Sequence, residues 1–484
     1  MRIAEVYALI TIASISALSP ATAQAQESAS TEAEVATLKE RVASLEAALA
    51  ELREQLSADK RATPEPDRNA TSPVSSERLA SAPPVAANVP AASASANRTG
   101  ASAASPVRDT FGDELTGVAR PDNAPPPNNP ELRGFIPIPG TQTMLKLGGF
   151  AKVNAIYDFS PAGNADKLVP ATIPVDGSRG RNMNVDANAT RFSFEVRRPS
   201  SLGTLRFYLE NDFYGGSGVT AFRLRQAHGQ VGNIYAGYGY SAFIDSDAYP
   251  ETLDDEGPAG EALLRLAALR YLFKIGDGLT ATLSVEKPSS DMALPTGAMA
   301  EQPMPDVVGA LRLQRDWGHV QGSAVIRRIG YRLDGDARTS LGYGLNLSGL
   351  ASLGDDFAMA SFTYGQGIAR YVNDLGGRGL DALAAPDGSV ETLATYAGYV
   401  GYTHHWSKRW RSNLVGSLVQ LERDPRLPQT AFRSSTYGAT NLILQASPNF
   451  SLGVEALYGR HELQNGQSAD VVRLQTSFKY DFVR

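Results

Sequence analysis

The chain has 484 residues, a net charge of −6, 45 Gly, 29 Pro and no Cys. The absence of Cys excludes disulfide scaffolds, thiolate metal sites, Cys nucleophiles and lipoprotein anchors, and the mild acidity excludes a strongly basic nucleic-acid binder. No internal apolar run reaches the roughly 18 residues of a spanning helix, which excludes a helical membrane protein but not a barrel of alternating strands.

Met1 and Arg2 open a short n-region, and Val6 to Leu18 form an apolar h-region. Ala23-Gln24-Ala25 is an A-x-A cleavage site, with Ala21-Thr22-Ala23 as an alternative. Residues 1–25 therefore read as an export signal. Export of a Cys-free chain points to a bacterial envelope.

Residues 26–60 follow with Val35, Leu38, Val42, Leu45, Leu49, Leu52 and Leu56, in alternating steps of three and four. These are a and d positions of three heptads, the pattern of an oligomerising coiled coil. Residues 61–142 are rich in Pro, Ala and Ser, as in Ala124-Pro125-Pro126-Pro127. Such a segment cannot bury enough apolar surface to offset its ordering entropy, so it reads as a linker.

Residues 143–484 read as all-β, a 16-stranded antiparallel transmembrane barrel. Arg191-Phe192-Ser193-Phe194-Glu195-Val196-Arg197 alternates polar and apolar residues, and so does Leu205-Arg206-Phe207-Tyr208-Leu209-Glu210. Period two places one face on lipid and the other on the lumen. Sixteen candidate strands run from 144–158 to 470–483. The connections after even-numbered strands are tight and those after odd-numbered strands mostly longer, as in 159–188, 241–263, 288–305 and 371–390. Short turns on one rim and long loops on the other mark an outer-membrane barrel. An even strand number puts both barrel termini on the short-turn, periplasmic rim. Trp317, Trp406 and Trp410 lie beside tight turns, where an interfacial girdle would sit. The last aromatic is Phe482, two residues before the end.

The connection 241–263 holds seven acids and no Lys or Arg, whereas the rest of 143–484 holds 33 Lys and Arg against 27 Asp and Glu. Asp245, Asp247, Glu251, Asp254, Asp255 and Glu256 are the candidate acids of a constriction loop; the alternatives are a solvated external loop or a Ca²⁺ site. Arg191, Arg206, Arg223, Arg225, Arg270 and Arg312 alternate with apolar neighbours, so if the apolar face meets lipid they line the pore. There they would favour anions, because guanidinium forks bind carboxylates bidentately. The alternative pairs them near the rims with Glu195, Glu210 and Asp212.

Leu147-Gly148-Gly149-Phe150-Ala151-Lys152-Val153-Asn154-Ala155-Ile156-Tyr157-Asp158-Phe159, Ala221-Phe222-Arg223-Leu224-Arg225-Gln226-Ala227-His228-Gly229 and Tyr249-Pro250-Glu251-Thr252-Leu253-Asp254 resemble the DcaP-like trimeric outer-membrane porins. The resemblance implies a homotrimer with basic pore-lining residues that admits small anionic solutes, typically dicarboxylates. The expected partners are outer-membrane lipid and lipopolysaccharide, such solutes, and peptidoglycan for the coiled coil, with no nucleic acid. No cofactor, metal ligand or catalytic residue is assigned, since the five histidines are scattered and no G-x-S-x-G elbow precedes a helix. The competing readings are an outer-membrane enzyme, an energised transporter lacking its plug, and an envelope-spanning tether with the barrel as anchor.

Overall fold

The computed structural model describes residues 134–216 and 220–482. The expected signal, the coiled coil with its heptad residues, and most of the linker lie outside the described residues.

Sixteen strands form the barrel: β1 Met144–Asp158, β2 Arg191–Ser200, β3 Gly203–Asp212, β4 Arg223–Val231, β5 Ile234–Tyr240, β6 Arg265–Gly276, β7 Leu279–Glu286, β8 Asp306–Arg315, β9 Gly318–Leu333, β10 Asp336–Leu353, β11 Asp356–Gln366, β12 Ala394–His405, β13 Trp410–Leu421, β14 Phe432–Ser447, β15 Phe450–Leu463 and β16 Ser468–Asp481. Each pairs antiparallel with its neighbours, and β1 pairs with β16 to close the ring, Ala155 facing Thr476. Closure gives every barrel strand a partner on both sides, as a strand protein in hydrocarbon requires.

The ring has small irregularities. The first half of β1 pairs with β2 and its second half with a short strand, Asn182–Asp186. Ile136–Pro137, at the end of the expected linker, pairs with Met144 and Leu145. Met299–Glu301 pairs with the far end of β9.

Alternation along each strand sorts the side chains. Leu205, Phe207, Leu269, Tyr271, Leu345 and Leu347 are exposed on the outer wall, while Arg206, Tyr208, Arg270 and Asn346 are buried on the inner one. Trp317, Trp406 and Trp410 are all exposed beside tight turns. Among the odd-strand connections, 464–467 between β15 and β16 is short, and the one between β9 and β10 is the shortest. It is the two-residue turn Asp334-Gly335, with φ of 51° and 92°. Two central residues at positive φ suit the twist of a long hairpin, so the strands extend further here than their sequence pattern indicates.

On the long-loop side the inner wall of β13–β16 is apolar, with Val419, Tyr437, Leu457 and Val471 buried. Leu168 and Ile173 of connection 159–190 cover it, together with Leu375 and Leu393 of connection 367–393. Each such side chain contributes about 1.5–3 kcal/mol on burial. Arg473 on β16, paired with Asp158 and donating to the Asn164 carbonyl, ties the first connection inward. Arg327 on β9, paired with Asp306 and Asp381, ties the second.

Candidate channel constriction

Connection 241–263 leaves β5, runs along the inner wall and returns to β6. Its entry is fixed by Glu286 at the end of β7, whose carboxylate accepts from the Ser241 hydroxyl at 2.6 Å and the Ala242 amide at 2.8 Å. Asp245 then reaches three strands: Arg312 on β8 at 3.0 Å, His319 on β9 at 2.8 Å and Ser348 on β10 at 2.8 Å. Asp247 meets the same Arg312 at 2.6 Å. The Tyr399 hydroxyl on β12 donates to the Ala248 carbonyl at 3.1 Å. Arg411 on β13 grips Glu251 with two hydrogen bonds of 2.6 Å.

The far end docks on β14–β16 and β1. Glu455 on β15 accepts from the amides of Leu253 and Asp254 at 2.9 and 2.8 Å. Lys152 on β1 bonds the Leu253 carbonyl and Asp255, both at 2.7 Å, and Asn154 bonds Asp255 at 3.0 Å. Glu256 pairs with Lys167 at 2.7 Å. On the way back the chain touches the wall at Gly260. Its amide donates to Ser417 on β13 at 2.7 Å, and a Cβ there would sit 2.6 Å from the carbonyl oxygens of Gly398 and Leu418. Only glycine fits so close an approach.

The loop acids therefore differ in charge state. Burial opposes ionisation throughout, but His319 and Arg312 hold Asp245 below the usual carboxylate range, Arg411 does so for Glu251 and Lys152 for Asp255. Asp254 has no such partner. It accepts from the Leu168 amide at 3.0 Å, and burial and the nearby Glu455 push it up to about 7, against the pull of Arg473. Burial and Glu256 raise Glu261 well above its ordinary value.

Facing the loop is a basic wall. Arg206 on β3 is bidentate to Glu195 at 2.7 and 3.2 Å. Arg225 on β4 bridges Glu210 at 2.6 Å and Asp212 at 2.9 Å, and Arg223 binds Asp212 from the other side at 2.5 Å. Arg270 on β6 donates to the Tyr240 carbonyl and stacks over Tyr235 at 4.5 Å. Arg191 on β2 lies over the Phe150 ring at 5.4 Å and is 3.9 Å from Glu210. All six sequence-derived arginines thus lie on the inner side, four of them next to Glu195, Glu210 or Asp212. Arg312 instead sits beneath the loop as its anchor.

Between wall and loop lies a cavity of about 280 Å³. Its cations are Lys152, Arg191, Arg225, Arg265, Arg411 and Lys479; its carboxyl groups are Asp247, Glu251, Asp254, Asp255, Glu256 and Glu261. Of the six sequence-derived arginines, Arg191 and Arg225 line it. Arg265, Arg411, Lys152 and Lys479 were missed by sequence reasoning. Lys152 and Lys479 lie on inward positions of β1 and β16, so the same alternation could have found them. Arg265 could not be found that way. Within β6, Leu266, Ala268, Arg270 and Leu272 are inward, so parity places Arg265 on the lipid side. It pairs with Tyr240 at the last rung of β5–β6, where the chain turns into the lumen, and both side chains line the cavity.

Residues 133–473 match the sequence model of the porin subfamily. Porin Omp2b of Brucella neotomae is 24% identical over 254 residues, 48% of this chain and 65% of Omp2b. Omp2b of Brucella suis is 24% identical over 240 residues, 45% of this chain and 62% of that protein. The matched region thus spans just under two thirds of these curated relatives. The outer membrane channel DcaP of Acinetobacter baumannii superposes with a TM-score of 0.65 at 22% identity, over 72% of this chain and 99% of DcaP. The two share a fold.

Proposed function

The chain belongs to the porin subfamily, and on that premise we propose that it is an outer-membrane diffusion channel, a homotrimer that passively admits small anionic solutes, dicarboxylates foremost. The observation that carries this reading is the cavity between an acid-rich loop docked on one wall and an arginine-rich wall opposite. Opposed charges across a constriction set up a transverse field, and guanidinium groups favour carboxylates entering it. Arg191, Arg206, Arg223, Arg225, Arg270 and Arg312 are the basic residues of the pore, and the loop acids narrow it. Most loop carboxylates are matched by a wall cation, so the cations left over decide the sign of selectivity.

The short-turn rim with Trp317, Trp406 and Trp410 faces the periplasm, and the long-loop rim meets lipopolysaccharide. Residues 1–25 are the removable signal, 26–60 the periplasmic coiled coil that holds the trimer and reaches peptidoglycan, 61–142 the linker and 143–484 the barrel. The test is the reversal potential of the full-length protein in a planar bilayer under a KCl gradient. An anion-selective value is expected, and it should fall in Arg223→Gln/Arg225→Gln. Cation selectivity of the unaltered channel overturns the reading, and an unchanged value in the double variant removes these two residues from it.

A further inference from the structure

The six cations of the cavity are not equally available. Lys152 is held by Asp255, Arg411 by Glu251, Lys479 by Asp481 at 3.1 Å, and Arg225 by Glu210 and Asp212. Each of these four is bound to a carboxylate of the protein, so it contributes to the field with part or all of its donors already engaged. Arg191 and Arg265 differ. The Arg191 guanidinium approaches Glu210 only to 3.9 Å, beyond hydrogen-bond range, because Arg225 already occupies that carboxylate at 2.6 Å. Arg265 donates one hydrogen bond, to the Tyr240 hydroxyl at 2.7 Å, and lies over that ring at 4.4 Å. The Nε of each has no hydrogen-bond partner among the described residues. Buried guanidinium donors left unmatched cost more than they return unless something arrives to accept them.

Both sit against aromatic faces, Phe150 for Arg191 and Tyr240 for Arg265, which hold a planar guanidinium without consuming its in-plane donors. Glu261 shares the cavity, and burial holds its carboxyl well above the ordinary carboxylate range, which opposes the charged form beside Arg265. At about 30 Å³ per water the cavity holds roughly nine waters, the size of a small organic anion.

We propose that Arg191 and Arg265 are the carboxylate-recognising residues of the channel, two open guanidinium forks among cations otherwise committed to the protein. This rests on the anion-channel reading above and assigns its specificity to two residues, one of them on the lipid-side parity of its strand. The other arginines shape the field, and these two make the hydrogen bonds to the passing solute.

Succinate-induced interruptions of single-channel KCl current, recorded with full-length protein, test this. Hydrogen bonds to charged groups imply about a tenfold rise in the half-effective succinate concentration for each fork removed. Arg191→Gln and Arg265→Gln should each show that rise, and the double variant more. Arg191→Lys/Arg265→Lys keeps both charges but loses both forks. It should retain the KCl reversal potential of the unaltered channel while its response to succinate weakens as in the Gln pair. A cation-selective unaltered channel overturns the function reading and this inference with it. An anion-selective channel whose succinate response in either double variant equals that of the unaltered channel overturns this inference alone.

Discussion

Glu455→Ala should free the tip of the constriction loop without harming the barrel. Glu455 is 1% exposed and accepts three hydrogen bonds, from the amides of Leu253 and Asp254 and from the Asn441 side chain. Asn441 keeps a second bond, to the Glu251 carbonyl at 3.0 Å, so the substitution strands two backbone donors. At about 1–3 kcal/mol per stranded buried donor, docking of the tip weakens by about 2–6 kcal/mol. At 1.4 kcal/mol per decade, the tip then opens about 30-fold to 10⁴-fold more often. Removing this carboxylate also relieves Asp254, which offsets part of the loss. Because the chain has no Cys, Leu253→Cys gives a clean reporter. Leu253 is buried against Gly453 when docked. The labelling rate of that thiol by a charged maleimide should rise in Glu455→Ala, and single-channel current should become noisier. Glu455→Gln keeps one acceptor and should fall between. Labelling and current noise equal to those of the parent, in a correctly folded variant, would refute the role of Glu455 as the tip anchor.

Arg312→Ala removes the shared partner of Asp245 and Asp247. Breaking a buried pair costs about 3–5 kcal/mol, so the melting temperature should fall and the current become noisy; unchanged values of both would contradict the anchoring role. Asp254, raised to about 7, binds its proton more tightly in the docked loop than in the unfolded chain, where it titrates near 3.9. Docking therefore favours low pH, and up to about 4 kcal/mol is lost as pH rises from about 4 through 7. Asp254→Asn, a permanent mimic of the protonated form, should flatten the pH dependence of current noise; an unaltered profile would show that another group sets it. Deleting residues 26–130 should lower the trimer fraction seen in native electrophoresis while leaving a heat-modifiable barrel. Unchanged trimers and envelope adhesion would count against the coiled coil as trimer clamp or tether.

The sequence by itself determined the sixteen strands, their two rims and the acidity of one connection. Those properties are local, because period-two alternation and turn residues are written within a dozen neighbours. It also set which side of the wall Arg191, Arg206, Arg223, Arg225, Arg270 and Arg312 occupy, by parity along each strand. What each arginine does there was decided by tertiary structure. Arg312 became a loop anchor because Asp245, 67 residues away in sequence, is delivered to it, and Glu455 binds Leu253 across 202 residues. Pattern carries no record of such distances, since any of the seven loop acids could have met any inward cation. Arg265 shows the limit most plainly. Alternation assigns it to lipid, and only the inward turn of the chain at the end of the β5–β6 ladder brings it into the cavity.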